Sequence, residues 1–435
     1  MSQPMNAVVE TPLHRAAAVF DEPTEIAEVS RSDVRLSLHE DIDALESEWR
    51  GFEQYADATV FQSFDWLSLW CRHIGMPRGV NAAVVLGRRT DGALLFLLPL
   101  AVAPGLVRRL TFLGDGLCDY NAPLMAPGFS SRMPAAEFVA LWREIGALLQ
   151  RRPHLRHDLV ELTKMPETVG AQANPFLHLD VGLNPSGAYL THLAGTWEDF
   201  YTAKRSSATR RRDRTKRKRL AEHGEIRFVD PQDADDIART LETLIEQKSK
   251  AFARMGAQNL FARPGYRDFY LDLATNPRTR HLVHVSRLDV GATRAAVNLG
   301  LTFRGSYYHV LASYDDGDVS RFGPGAAHLR DLLQRAIEKG FARFDFTIGD
   351  ERYKLEWSDT TLKLYDHAAA ATPRGWPVLI LSVAFRRLKR AIKQNPLLWR
   401  MFSAVRATAG WLQGRTKRGE GDRTPAGNSP PIAPD

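Results

Sequence analysis

Residues 306–357, SYYHVLASYDDGDVSRFGPGAAHLRDLLQRAIEKGFARFDFTIGDERYKLEW, set the fold class expected of this 435-residue chain. Strand-like SYYHVLASYD runs into Ser320-Arg321-Phe322-Gly323-Pro324-Gly325-Ala326-Ala327, after which Leu329, Leu332, Leu333 and Ile337 recur at helical spacing through residues 325–339. A short strand over 343–348 closes the unit. Glycines at a strand-to-helix turn let the backbone approach a ligand, and the unpaired N–H groups at a helix start favour a phosphate or diphosphate. The same glycines also suit a tight turn that binds nothing.

In the chain before this stretch the same order of elements occurs a first time. Residues 84–100, VVLGRRTDGALLFLLPL, read as a hairpin about an Asp-Gly turn, and residues 283–301, VHVSRLDVGATRAAVNLGL, repeat it. More strand-like sequence comes after each hairpin, then a helix (135–150; 325–339), then a strand (158–163; 343–348). The pattern predicts an α/β (α+β) fold of two duplicated halves, each a mixed sheet flanked by helices. A loop-like region at 166–187 separates them, giving a flexible segment over 1–34, halves at 35–180 and 181–372, basic amphipathic helices at 373–413 and a disordered tail from 414.

With 44% hydrophobic and 25% charged residues, the chain can bury more than one core. The N-terminus lacks the basic start and apolar run of a secretion signal. The longest apolar stretch, 93–107, is broken by Pro99, Pro104 and Gly105 and falls short of the roughly 20 residues that span a bilayer. Cys71 and Cys118 are too few for a disulfide framework and lack zinc-site spacing, so no metal is expected and the reading is cytoplasmic. The formal charge of +7 is concentrated in KRSSATRRRDRTKRKR, 204–219, and in 376–411. The first run has no interleaved aromatics, which argues against a dedicated single-strand nucleic-acid module. It suits a solvated helix face, donor phosphates or another polyanion equally well.

Strand, Gly-x-Gly turn, helix and strand together resemble the acyl-CoA-binding core of GNAT acyltransferases, whose usual loop is Gln/Arg-x-x-Gly-x-Gly/Ala; here Ser320 stands first and Arg321 comes next. The ending Phe344-Asp345-Phe346 with Gly349-x-x-x-Tyr353-Lys354-x-x-Trp357 resembles the CelD-like subgroup linked to cellulose and exopolysaccharide biosynthesis. That subgroup is similar in turn to Fem-type peptidyltransferases with two GNAT halves. The resemblance covers roughly residues 35–370 and implies acyl-CoA as co-substrate, held at Arg321, Gly323, Gly325, Ala326 and Ala327. It also implies an amine- or saccharide-bearing acceptor.

Within this frame Asp345, facing away from Phe344 and Phe346 on its strand, is a candidate to orient or deprotonate the acceptor. Lys354 is a candidate to neutralise charge on a tetrahedral intermediate, Tyr353 to protonate a departing thiolate, and His309 is a reserve base. Each also has a plain structural role open to it. Asp119, Tyr120 and Asn121 in the turn-rich 114–123 stretch, an Asp-Tyr-Asn-x-Pro motif that also resembles CelD-like sequences, are candidates to bind the acceptor. The first half has only Pro127-Gly128 before its helix, so one donor site is expected. A Fem-like ligase drawing on aminoacyl-tRNA and a GNAT fold without chemistry are the alternatives. In VLILSVAFRRLKRAIK, 378–393, Leu381, Phe385, Leu388 and Ile392 share a helical face, which suits peripheral attachment to the inner face of an anionic membrane or packing on the body of the protein.

Overall fold

The computed structural model describes residues 31–394. The expected flexible start before residue 31, a second helix beyond Pro396 and the tail from 414 lie outside them.

Alternation of apolar residues in the two hairpins produces the centres of two mixed sheets. The first runs Val34–His39, Asn81–Arg89, Leu94–Ala103, Arg109–Phe112, Leu159–Pro166, Leu364–Ala370, Val181–Leu183, with Leu124–Met125 joined to Leu94–Ala103. The second runs Ile226–Val229, Val283–Val290, Thr293–Phe303, Ser306–Tyr314, Arg343–Ile348, Ala188–His192, Thr360–Leu362. In both, every neighbouring pair along this order is antiparallel except the fourth and fifth strands, which are parallel. The halves are therefore two copies of one α/β plan.

The boundary is less simple than a single cut in the chain. Leu364–Ala370, assigned by sequence to the second half, inserts into the first sheet, while Ala188–His192 takes the matching place in the second. Such pairing is non-local, so local periodicity carries no record of it.

One face of each sheet feeds a common core. Trp66 and Phe61 of the first half meet Phe269 and Tyr308 of the second edge-to-face, with ring centroids 5.0 and 6.1 Å apart. The other face of the second sheet, with Phe344 and Phe346 fully buried, packs under the helix Pro324–Glu338. Alternation along Arg343–Ile348 thus sends Phe344 and Phe346 one way and Asp345 the other, toward the first half. The final helix, Gly375–Gln394, lies on Leu364–Ala370 and Leu159–Pro166. Among the described residues no helix is long and apolar enough to cross a membrane.

Candidate active site

A cleft of about 600 Å³ opens along the second sheet, between the start of Pro324–Glu338 and the end of Arg343–Ile348. At one end lie Ser320, Gly323, Gly325 and Ala326; at the other lie Asp119, Thr347, Tyr353 and Lys354, with His309 also in the wall.

The glycine end is built as the sequence suggests. Gly323 holds the left-handed conformation at φ +69°, which only glycine adopts without strain, and Pro324 starts the helix with its φ already fixed. Ala327 N–H closes the first helical hydrogen bond, to Gly323 O at 3.1 Å. The N–H groups of Gly325 and Ala326 precede that bond and have no intrahelical acceptor, so they present donors at the positive end of a 15-residue helix. Two residues expected to hold the donor stand apart from the cleft wall. Ala327 is buried behind those N–H groups, and Arg321 lays its guanidinium 4.9 Å from the centroid of the Phe322 ring.

The basic run also arrives here. It forms the helix Ser207–Ala221, capped by Ser206, and is fastened to the glycine-turn helix by Arg330 to Asp213 at 3.1 Å and Arg217 to Asp331 at 3.0 Å. Lys216 Nζ lies 3.9 Å from the position a β-carbon would take on Gly323. Cationic charge therefore stands beside the free N–H groups.

At the other end the two halves combine. The Tyr120 hydroxyl donates to Asp345 Oδ1 at 2.7 Å, and the Thr347 N–H donates to the same oxygen at 2.7 Å. Thr347 sits at φ +60°, a strained position for a β-branched residue, just past a register shift in the strand. Burial pushes the Asp345 carboxyl up to about 7, against the pull of those two hydrogen bonds, and the nearby Asp119 charge adds to the rise. Burial raises Asp119 as well, with Lys164 and the Thr347 side chain opposing. Asp119 lines the cleft, whereas Asp345 and Tyr120 stand directly behind it. Asn121 is buried and spends its amide N–H on Thr163 O at 3.0 Å, a role in holding the loop.

Lys354 is buried, with Nζ 2.7 Å from Ile348 O, 3.4 Å from Thr347 O and 3.1 Å from the largely exposed Glu351 carboxylate. It ties down the strand end and brings a cation beside the carboxylates. Gly349, at φ +131°, permits this turn, since a β-carbon there would fall 2.4 Å from Glu351 Oε2 and 3.0 Å from Lys354 Nζ. Burial pushes the Tyr353 phenol up, so it keeps its proton. His309 is lowered to about 3 by burial, with Lys354 and Lys248 adding to the effect, which makes it a weak base. Its ring is also engaged. With Asn298 oriented by its own network, the amide oxygen accepts from Tyr307 and the amide nitrogen donates to His309 Nε2 at 3.1 Å.

Residues 207–355 match the acetyltransferase (GNAT) domain family. The GNAT match thus spans the basic helix, the glycine turn and Lys354. No curated protein sequence matches the chain. Among solved structures, FemX is similar at 10% identity over 76% of this chain and 96% of its own, with a TM-score of 0.51. A conserved protein of unknown function from Bacteroides thetaiotaomicron VPI-5482 is similar at 14% identity over 77% of this chain and all of its own, with a TM-score of 0.50. At these identities the likeness concerns the fold: two mixed sheets flanked by helices in tandem.

Two wall residues carry no distinguishing mark in the sequence. Lys248, on the helix Ala234–Arg254, reaches the cleft, where burial lowers its ammonium, Glu351 opposes and Lys354 adds to the fall. Arg205 lines the cleft as well, its guanidinium 4.8 Å from the Trp357 ring and bonded to Glu356 at 2.7 Å. Lys248 is hidden in an ordinary amphipathic helix; Arg205 is one of many cations in the basic run.

Proposed function

We propose that the protein is an acyl-CoA-dependent acyltransferase that moves an acyl group to an amine or hydroxyl of an envelope or exopolysaccharide acceptor. The observation that carries this reading is one cleft holding a helix-start phosphate cradle at one end and a carboxylate, lysine and tyrosine set at the other.

The residues fit the donor. Gly325 and Ala326 N–H groups and Lys216 suit a diphosphate, while Val310, Leu329 and Trp357 offer apolar wall to the chain attached to it. A thioester supplies an electrophilic carbonyl carbon attached to a sulfur leaving group. Asp119, facing the cleft and coupled to the Asp345–Tyr120 pair behind it, takes the proton from the acceptor nucleophile as the new bond to that carbon forms. Lys354 places positive charge near the carbonyl oxygen, exchanging its exposed Glu351 contact for it. As the carbon–sulfur bond breaks, the still-protonated Tyr353 hydroxyl donates a hydrogen bond to the departing sulfur, which takes its proton from solvent.

Titration calorimetry with acetyl-CoA and a longer acyl-CoA tests the reading. Binding by wild type that is lost in Gly325→Val supports it, and equal affinity of a folded Gly325→Val defeats it. One observation favours a second reading. Arg211, Arg212, Arg214, Lys216, Lys218 and Arg219 are exposed on the helix beside the glycine turn, which suits the phosphates of an aminoacyl-tRNA. Activity that ribonuclease abolishes and acyl-CoA does not restore would select it.

A further inference from the structure

The helix Gly375–Gln394 is docked the wrong way round for a core helix. Leu379, Ser382, Val383 and Arg386 are half-buried, and the Arg386 guanidinium faces Glu161 at 3.6 Å and Asp366 at 3.9 Å in the two strands beneath. The outer side carries Trp376, Ile380, Leu381, Phe385 and Leu388, between 58 and 70% exposed. Spaced along successive turns, they form one continuous apolar stripe. Rolling the helix to bury that stripe would carry the Arg386 charge away from both carboxylates. Isolated exposed apolar residues are ordinary, but five large ones along one helix form a surface that calls for a partner.

We propose that this stripe is a docking surface for an anionic lipid bilayer, with the helix lying in the interface and the rest of the chain held against the membrane by the Arg386 clamp. Charge decides among the possible occupants. Besides the inward-facing Arg386, the helix sequence contains Arg387, Lys389, Arg390 and Lys393 and no acidic residue. A second copy of the same helix would bring like charge to the contact, whereas anionic headgroups bring the opposite charge. A helix that combines basic and apolar residues in this way, and is not apolar enough to cross, lies in the headgroup region, and Trp376 suits that depth. The inference concerns where the protein acts and stands apart from the acyl-transfer reading, because the helix packs on Leu364–Ala370 and Leu159–Pro166, neither of which lines the cleft.

The test is flotation of the full chain with phosphatidylcholine vesicles and with vesicles that also contain phosphatidylglycerol, for wild type and for Leu381→Ser/Phe385→Ser. Both replaced side chains are exposed, so the melting temperature should not fall. Wild type should float with the anionic vesicles, and recovery should drop several-fold in the double variant and at high salt. Three results overturn the proposal: no recovery of wild type with anionic vesicles, equal recovery of the variant, or a wild-type dimer by light scattering that the variant converts to monomer. Acyl-CoA binding by the double variant, measured without vesicles, should equal wild type; its loss would count against the acyl-transfer reading's placement of the donor and not against the lipid surface.

Discussion

The two sheets share strand order and direction, yet only the second borders the cleft. The difference lies in how the chain enters the helix and in how each half uses the end of its fifth strand. In the second half, Gly323 turns the chain left-handed and leaves two N–H groups free; in the first, the helix Ala135–Gln150 starts from an extended Pro134 with no glycine turn. The strand ends are alike in backbone but not in use. Lys164 at φ +59° and Thr347 at φ +60° both sit beside register shifts with the neighbouring strand. Lys164 sends its ammonium to Cys118 O at 2.7 Å and so helps fix the loop that carries Asp119 and Tyr120. Thr347 instead binds Asp345 and Asp119 at the cleft. One copy of the fold has become a support that lends two residues to the other.

Substitution of the charged groups should separate the halves by the widest margin. Asp119→Asn should lower kcat by about 10²–10⁴-fold with little change in donor affinity, the size usual for a lost general base. Lys354→Ala should lower kcat by about 10²-fold; Lys164→Met, which removes the ammonium that holds the Asp119 loop in the first half, should act more weakly. A rate unchanged in Lys354→Ala, in a folded protein, removes it from the chemistry.

The pH dependence comes next in size. A base that must be ionised makes kcat/KM rise with pH, and burial, which raises Asp119, moves the inflection above the ordinary carboxylate range. Stability should run the other way. The Asp345 carboxyl is raised on folding, so the folded state holds an extra proton between the unfolded value, about 3.9, and the folded one. Unfolding free energy should therefore fall as pH rises through that window, by at most about 1.4 kcal/mol per pH unit, and level off above it. Asp345→Asn keeps an acceptor for Tyr120 and Thr347 and should flatten this slope in denaturant titrations at several pH values. A slope that persists unchanged would mean that Asp345 is not the group responsible.

The smallest effect separates two glycines of left-handed backbone, one in each half. Gly128→Ala in the first half and Gly323→Ala in the second replace residues at φ +73° and +69°, and each should cost about 1–2 kcal/mol of stability. Only Gly323→Ala should also weaken acyl-CoA binding, and a matching loss in Gly128→Ala would show that the halves are not differentiated at these glycines.

Much of this arrangement is legible in the sequence because it is local. The hairpins, the helix Ala135–Gln150 and the strand Arg343–Ile348 come from alternation and helical spacing, and the Gly323–Pro324–Gly325 turn from residues with restricted or special backbone conformations. The exchange of Ala188–His192 and Leu364–Ala370 is not legible, since it joins segments far apart in the chain. The same holds for the site. Asp345 and Lys354 stand within one motif, but the hydrogen bond from Tyr120, 225 residues away, and the approach of Lys248 depend on how the halves pack. Arg321 shows the same limit: its place beside the turn says nothing of its direction, and its guanidinium lies over the Phe322 ring.

The stoichiometry of acetyl-CoA binding, measured by calorimetry on the full chain, bears on the central claim that the donor site belongs to the second half alone. A single molecule per chain, with binding abolished in Gly325→Val and retained in Gly128→Ala, is the result predicted. Two molecules per chain, or binding that survives Gly325→Val with wild-type affinity, would contradict that assignment.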